Sequence, residues 1–145
     1  MKPSHARTRP TRKTMELLDL LRTIFERVRT DADFISFTEV LLENNVSYYI
    51  YFVATGNVNF VMSSDTFVSL KSNRKLLRVN AQSCRALTRD AARRHFSGIT
   101  TFDNYCAELA NAGVFKWVVD LNEKTRHYWS KDNTLLHMEN MILPF

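Results

Sequence analysis

Slid along itself by 68 positions without a gap, this chain meets itself. Phe34 falls on Phe102, Phe37 on Tyr105, Leu41 on Leu109 and Val46 on Val114. Tyr49 then falls on Trp117, Ile50 on Val118, Phe60 on Tyr128, Val61 on Trp129, and Asp65-Thr66 on Asn133-Thr134. Few of these matches are identities, but aromatic repeatedly meets aromatic. A repeat of this length restricts the chain to folds assembled from two like units.

Each unit reads the same way. A short helix starts near Phe34 or Phe102, with Asp33 or Thr101 placed to cap it. It stops at Asn45 or Gly113, two residue types that tolerate the left-handed backbone ending a helix. A strand follows at Val46 to Val53 or Val114 to Leu121. Turn residues follow it at Thr55-Gly56-Asn57 or Asn122-Glu123-Lys124. A return strand then runs over Val58 to Met62 or Thr125 to Trp129. A further helix precedes each of these. Met15, Leu18, Leu21, Ile24, Phe25 and Val28 recur at helical spacing behind a capping Thr14. Residues 84–96 place Leu87, Ala91 and His95 on one face and Arg85, Arg89 and Arg93 on another, and Ser97-Gly98 ends them. Thr66 to Leu70 and Leu76 to Val79 are candidate further strands. The expected fold class is α+β: two tandem helix-helix-β-hairpin units, pseudo-repeats 15–70 and 84–139, forming an antiparallel sheet with helices packed against it.

The second unit shows which sheet face is buried. Phe115, Trp117, Val119 and Leu121 alternate with Lys116, Val118 and Asp120, as in a strand with one wet face. The first unit differs. Tyr48, Ile50 and Phe52 are apolar on the face that should be wet, so a helix or a partner is expected to cover them.

Composition bounds the rest. At 145 residues the chain is one domain, residues 15–145, behind a tail of residues 1–14. The tail holds Lys2, Arg7, Arg9, Arg12 and Lys13, no acid and almost nothing apolar, so it is expected to be disordered, with Met15 a candidate translation start. It accounts for the whole net charge of +5. No run of about 18 apolar residues is present, and no apolar stretch follows the basic N-terminus. Cys84 and Cys106 belong to no CxxC pair. A cytoplasmic protein with no membrane span, no cofactor and no metal is expected.

The run Gly98-Ile-Thr-Thr-Phe-Asp-Asn-Tyr-Cys-Ala-Glu-Leu-Ala-Asn-Ala-Gly-Val-Phe-Lys-Trp-Val-Val-Asp-Leu carries a family likeness, as do the later Asp132-Asn-Thr-Leu-Leu, Tyr49-Ile50-Tyr51 and Ala54-Thr55. From about Met15 to about Glu139 the chain resembles the YdfO-like family of small prophage-encoded enterobacterial proteins. The resemblance implies an α+β fold and a phage or prophage origin. It implies no activity and no catalytic residues. The basic tail is a departure from it.

Two residue groups stand out as candidate sites. Arg74, Lys75, Arg78, Arg85, Arg89, Arg93 and Arg94 crowd one segment that has Asp90 as its single acid. Such a cluster can face a phosphate backbone. It can equally be a solvated surface balanced by acids such as Glu16, Glu39 and Glu43. No helix-turn-helix, zinc-finger or RNP-like spacing accompanies it. The second group is Lys116, Asp120 and His127. A two-residue turn at Glu123-Lys124 would set Asp120 opposite His127, a carboxylate orienting an imidazole. No nucleophile accompanies the pair, and a cross-strand charge pair explains it more simply. The expectation is therefore a non-enzymatic accessory protein, a monomer that binds a host or phage protein through Tyr48, Ile50 and Phe52, with nucleic-acid binding by the Arg-rich helix as the alternative.

Overall fold

The computed structural model describes residues 12–25 and 31–141. Four helices and six strands follow in the order α1 (Arg12–Phe25), α2 (Asp31–Glu43), β1 (Val46–Phe52), β2 (Val58–Met62), β3 (Phe67–Leu70), α3 (Arg85–Phe96), α4 (Phe102–Asn111), β4 (Val114–Asp120), β5 (Thr125–Ser130) and β6 (Leu135–Asn140). The strands form one antiparallel sheet in the order β3-β2-β1-β4-β5-β6. The fold is α+β, with helices packed against an antiparallel sheet.

The order helix, helix, strand, strand, strand occurs twice. Each half is a three-stranded meander rather than the hairpin expected from sequence, because β6 joins the second half as β3 joins the first. The halves meet along β1 and β4. There Tyr49 pairs with Val119, Ile50 with Val118 and Tyr51 with Trp117. Ile50 and Val118 are 68 residues apart, and the pairs on either side of them are reciprocal at the same offset. The irregular backbone positions recur at the same offset. Asn45, Gly56 and Asp65 have φ of 65, 80 and 67, and Gly113, Lys124 and Asn133 have φ of 85, 58 and 62. Register shifts lie between Val46 and Tyr48 and again between Val114 and Lys116.

All four helices cover one face. The Phe37 ring of α2 lies 5.9 Å from Tyr49 and 6.5 Å from Phe60. From α4, Phe102 meets Tyr51 at 5.7 Å and Tyr105 meets Trp117 at 5.3 Å. Leu21 of α1 joins the same core, and α1 lies beside β3. α3 lies beside β6 and α4, and its Phe96 ring covers the Arg126 guanidinium at 4.1 Å. Aromatic burial on this scale supplies much of the driving force, each ring removing on the order of 150–250 Å² from water.

Several expectations need correction. Leu76–Val79 is a loop, not a strand: Leu76 is exposed and only Val79 is buried. α1 begins at Arg12, so Thr14 lies inside it and does not cap it; residues 1–11 of the expected disordered tail lie outside the described residues. α2 begins at Asp31, which places Asp33 within the helix, whereas Thr101 does cap α4, its hydroxyl accepting from the Asn104 amide at 3.1 Å. Leu87 is exposed; the buried face of α3 is Thr88, Ala91, Ala92 and His95.

Candidate functional site

Among the described residues no helix packs on the sheet face opposite α1 to α4. Cross-strand partners share a face, so the register defines its rows. Along one row lie Phe67, Val61, Tyr48, Asp120, Thr125 and Asn140. Along the next lie Ser69, Asn59, Ile50, Val118, His127 and Met138. Phe52, Lys116 and Trp129 form a third. Tyr48 is 36% exposed, Met138 49% and Phe67 66%, although all three sit in regular strands. Ile50, Phe52, Val118 and Trp129 are half-buried. Among the described residues no helix covers Tyr48, Ile50 and Phe52.

The second half of this face holds an open groove lined by Lys116, Val118, His127 and Trp129 among others. The His127 and Trp129 rings are near-parallel at 6.3 Å. The expected Asp120–His127 pairing is absent. Asp120 pairs with Thr125, and His127 pairs with Val118. The connection is four residues long, and its shape comes from Asp120 itself: Oδ1 accepts from the amides of Asn122 at 3.0 Å and Glu123 at 2.9 Å. A carboxylate occupied in closing a turn does not orient an imidazole one row away.

The basic segment is dispersed. Arg74 turns back into the fold and donates through Nη2 to the Val53 carbonyl at 2.5 Å and through Nη1 to that of Lys75 at 3.1 Å. Lys75 and Arg78 are exposed on the loop before α3. On α3, Arg85, Arg89 and Arg93 are exposed. Arg89 pairs with its neighbour Asp90 at 3.3 Å, and Arg94 with Glu108 of α4 at 3.1 Å. Among the described residues no carboxylate lies within ion-pair distance of Arg85 or Arg93. The acids expected to offset the row, Glu16, Glu39 and Glu43, stand on α1 and α2 over the other half of the sheet.

A buried polar network is a feature that sequence reasoning missed. Arg126, 4% exposed, donates from Nη1 to Oε1 of Glu139 at 2.7 Å. The Tyr128 hydroxyl donates to the same oxygen at 2.8 Å and lies 2.5 Å from that of Tyr105. Burial alone would pull Arg126 down, but Tyr128, Glu139, Tyr105 and Tyr49 around it hold it above its usual value. Burial pushes the phenols of Tyr49, Tyr51, Tyr105 and Tyr128 up. His137 beside the network is held below the usual histidine range by burial, with Arg93, Arg89 and Arg126 adding to the effect against the pull of Glu139. His95 stacks on Tyr105 at 4.2 Å as a packed core residue. The signal for Arg126 was available: the 68-residue offset sets it on Val58, a core position.

Cys106 is buried, its Sγ 3.5 Å from the Tyr51 hydroxyl, and Cys84 stands at the start of α3. Among the described residues no three His, Cys, Asp or Glu side chains are grouped to hold a metal, and no helix is long and apolar enough to cross a membrane.

Comparison with known proteins agrees with an architecture that has no assigned chemistry. A family model described as "Protein of unknown function (DUF1398)" matches residues 22–140. The uncharacterised protein YcgX of Escherichia coli K12 is 38% identical over 127 residues, covering 88% of this chain and 95% of its own. The uncharacterised protein YbcV of the same strain is 35% identical over 127 residues, covering 88% of this chain and 93% of its own. The chain belongs to the DUF1398 family of unknown function.

Proposed function

We propose that this protein acts non-enzymatically, as a cytoplasmic accessory protein that binds another protein on the open face of its sheet. The observation that carries this reading is the register itself, which sets Tyr48, Ile50, Val118 and Met138 on one continuous face that no helix among the described residues covers. An apolar sheet face left to water is costly, at about 25 cal/mol per Å², and is a common mark of an interaction surface. Lys116, Asp120 and His127 are interleaved with apolar residues in the rows of this face and add polar groups to the surface. The likeness to YdfO-like prophage proteins supports a phage or host protein as the partner. The coincidence of backbone irregularities at a 68-residue offset supports descent of the two halves from one duplicated unit.

One observation favours nucleic-acid binding by α3 as a second reading: Arg85 and Arg93 are exposed on one helix face without a carboxylate partner among the described residues. Photo-crosslinking separates the two. A photoreactive amino acid in place of Val118 is expected to join a protein in host lysate, and the same group in place of Arg85 is expected to join neither protein nor nucleic acid. Crosslinks to nucleic acid from the Arg85 position alone would reverse the assignment.

A further inference from the structure

The end of α1, the segment after β3 and the start of α4 border a half-open cavity of about 370 Å³. Three cations line it, Arg22, Lys71 and Arg74, against one acid, Asp103. Among the described residues no carboxylate lies within ion-pair distance of any of the three. Their convergence is built into the fold. Arg22 donates from Nη1 to the Lys71 carbonyl at 3.1 Å, tying α1 to the segment after β3. The Arg74 guanidinium is fixed by the Val53 and Lys75 carbonyls, and its buried Nε–H has no acceptor among the described residues. Its approach requires glycine at position 56, where φ is +80 and an added Cβ would stand 2.9 Å from Nε. A buried donor left unsatisfied costs about 1–3 kcal/mol, and like charges held together add repulsion. Tyr51, Phe102 and Leu70 are the apolar part of the lining, beside Ser72 and Asn73; Tyr51 stacks on Trp117 at 4.1 Å and meets the edge of Phe102 at 5.7 Å.

We propose that this cavity binds a small phosphomonoester, its phosphate held by Arg22, Lys71 and Arg74 and its organic group against Tyr51 and Phe102. The volume falls within the range of about 300–1,000 Å³ for small-molecule sites. Three cations less Asp103 leave two positive charges, which match a phosphomonoester of about −1.5 to −2 at neutral pH. The exposed Arg22 guanidinium and Lys71 ammonium can donate charge-assisted hydrogen bonds to phosphate oxygens, with the Arg74 charge fixed beside them. The site lies away from the open sheet face and does not depend on protein binding there.

Calorimetric titration of the full chain at low ionic strength with phenyl phosphate, inorganic phosphate and phenol tests this. Phenyl phosphate is expected to saturate one site, at least about tenfold tighter than inorganic phosphate, with no binding of phenol. The double variant R22Q/K71Q, on exposed side chains, should weaken phenyl phosphate by at least about tenfold with unchanged circular dichroism. Arg85→Gln on α3 should leave it unaltered. Arg74→Lys should weaken it too, and if that variant fails to fold the exposed pair still decides. Equal affinities for the two phosphates would overturn the phosphomonoester assignment. Absence of saturable binding, or equal binding by the wild type and R22Q/K71Q, would overturn the site.

Discussion

Ile50 and Val118 face each other across the seam between β1 and β4, and each is the other's counterpart in its own half of the chain. They stand at the centre of the open sheet face. Their neighbours Tyr49 and Val119 form the next pair and point into the core. One step along the strand thus separates an open surface from a packing surface. Ile50→Thr or Val118→Thr should cost no more than about 1 kcal/mol. Val119→Thr should cost about 2–3 kcal/mol, because it buries a hydroxyl in an apolar layer. Urea denaturation of the three variants measures the contrast.

Arg126 and Glu139 test the buried network. Glu139→Gln keeps the shape but leaves the guanidinium without its counter-charge. The expected loss is about 3 kcal/mol, at the low end of the range for broken buried pairs because Glu139 keeps some contact with solvent. Replacing both residues, R126M with E139Q, should recover part of that loss, so the double-variant cycle should be clearly non-additive.

The tyrosines give a pH dependence. Burial raises the phenols of Tyr49, Tyr51, Tyr105 and Tyr128 in the folded state, so folding binds their protons more tightly than the unfolded chain does. Their contribution to stability is complete below the unfolded value of about 10 and is lost as pH rises above it. Absorbance at the phenolate band should therefore show these four ionising together with loss of circular dichroism. Ionisation of all four in a chain that stays folded would contradict the burial described.

Gly113 tests the turn into β4. It has φ of +85, and an added Cβ would stand 2.6 Å from Ser83 Cα and 2.8 Å from the Gln82 carbonyl oxygen. Gly113→Ala combines left-handed strain of about 1–2 kcal/mol with a clash against backbone of similar size. Asn45→Ala, at the matching position of the first half, carries the strain without that clash and should lose about half as much. Thermal unfolding of the two variants makes the comparison.

Much of this architecture was legible in the sequence because similar residue types recur 68 positions apart. Aromatic positions 68 residues apart gave the strands, and the Asn45–Gly113 match marked both helix ends with residues that tolerate positive φ. The errors have local causes. Asp120 was set opposite His127 by assuming a two-residue turn, but its carboxylate caps a four-residue one in which Lys124 has φ of 58. β6 went unread because Leu-Leu-His-Met-Glu-Asn has no β-branched residue, and it forms by pairing with β5. Arg74 looked like surface charge because nothing local announces that the Val53 carbonyl, 21 residues away, will hold it. The face of Tyr48, Ile50 and Phe52 was visible as a violation of strand alternation; its extension through Trp129, Met138 and Phe67 needed the strand order.

The open face is tested most directly by affinity capture from nuclease-treated host lysate, with the wild type and an Ile50→Lys/Val118→Lys variant side by side. Both positions are half-buried, so the variant should fold, as circular dichroism can verify. The account predicts that the wild type retains a discrete protein after nuclease treatment and at raised salt, and that the variant loses it. Retention of the same protein by both, or loss of all retained material on nuclease treatment, would contradict it.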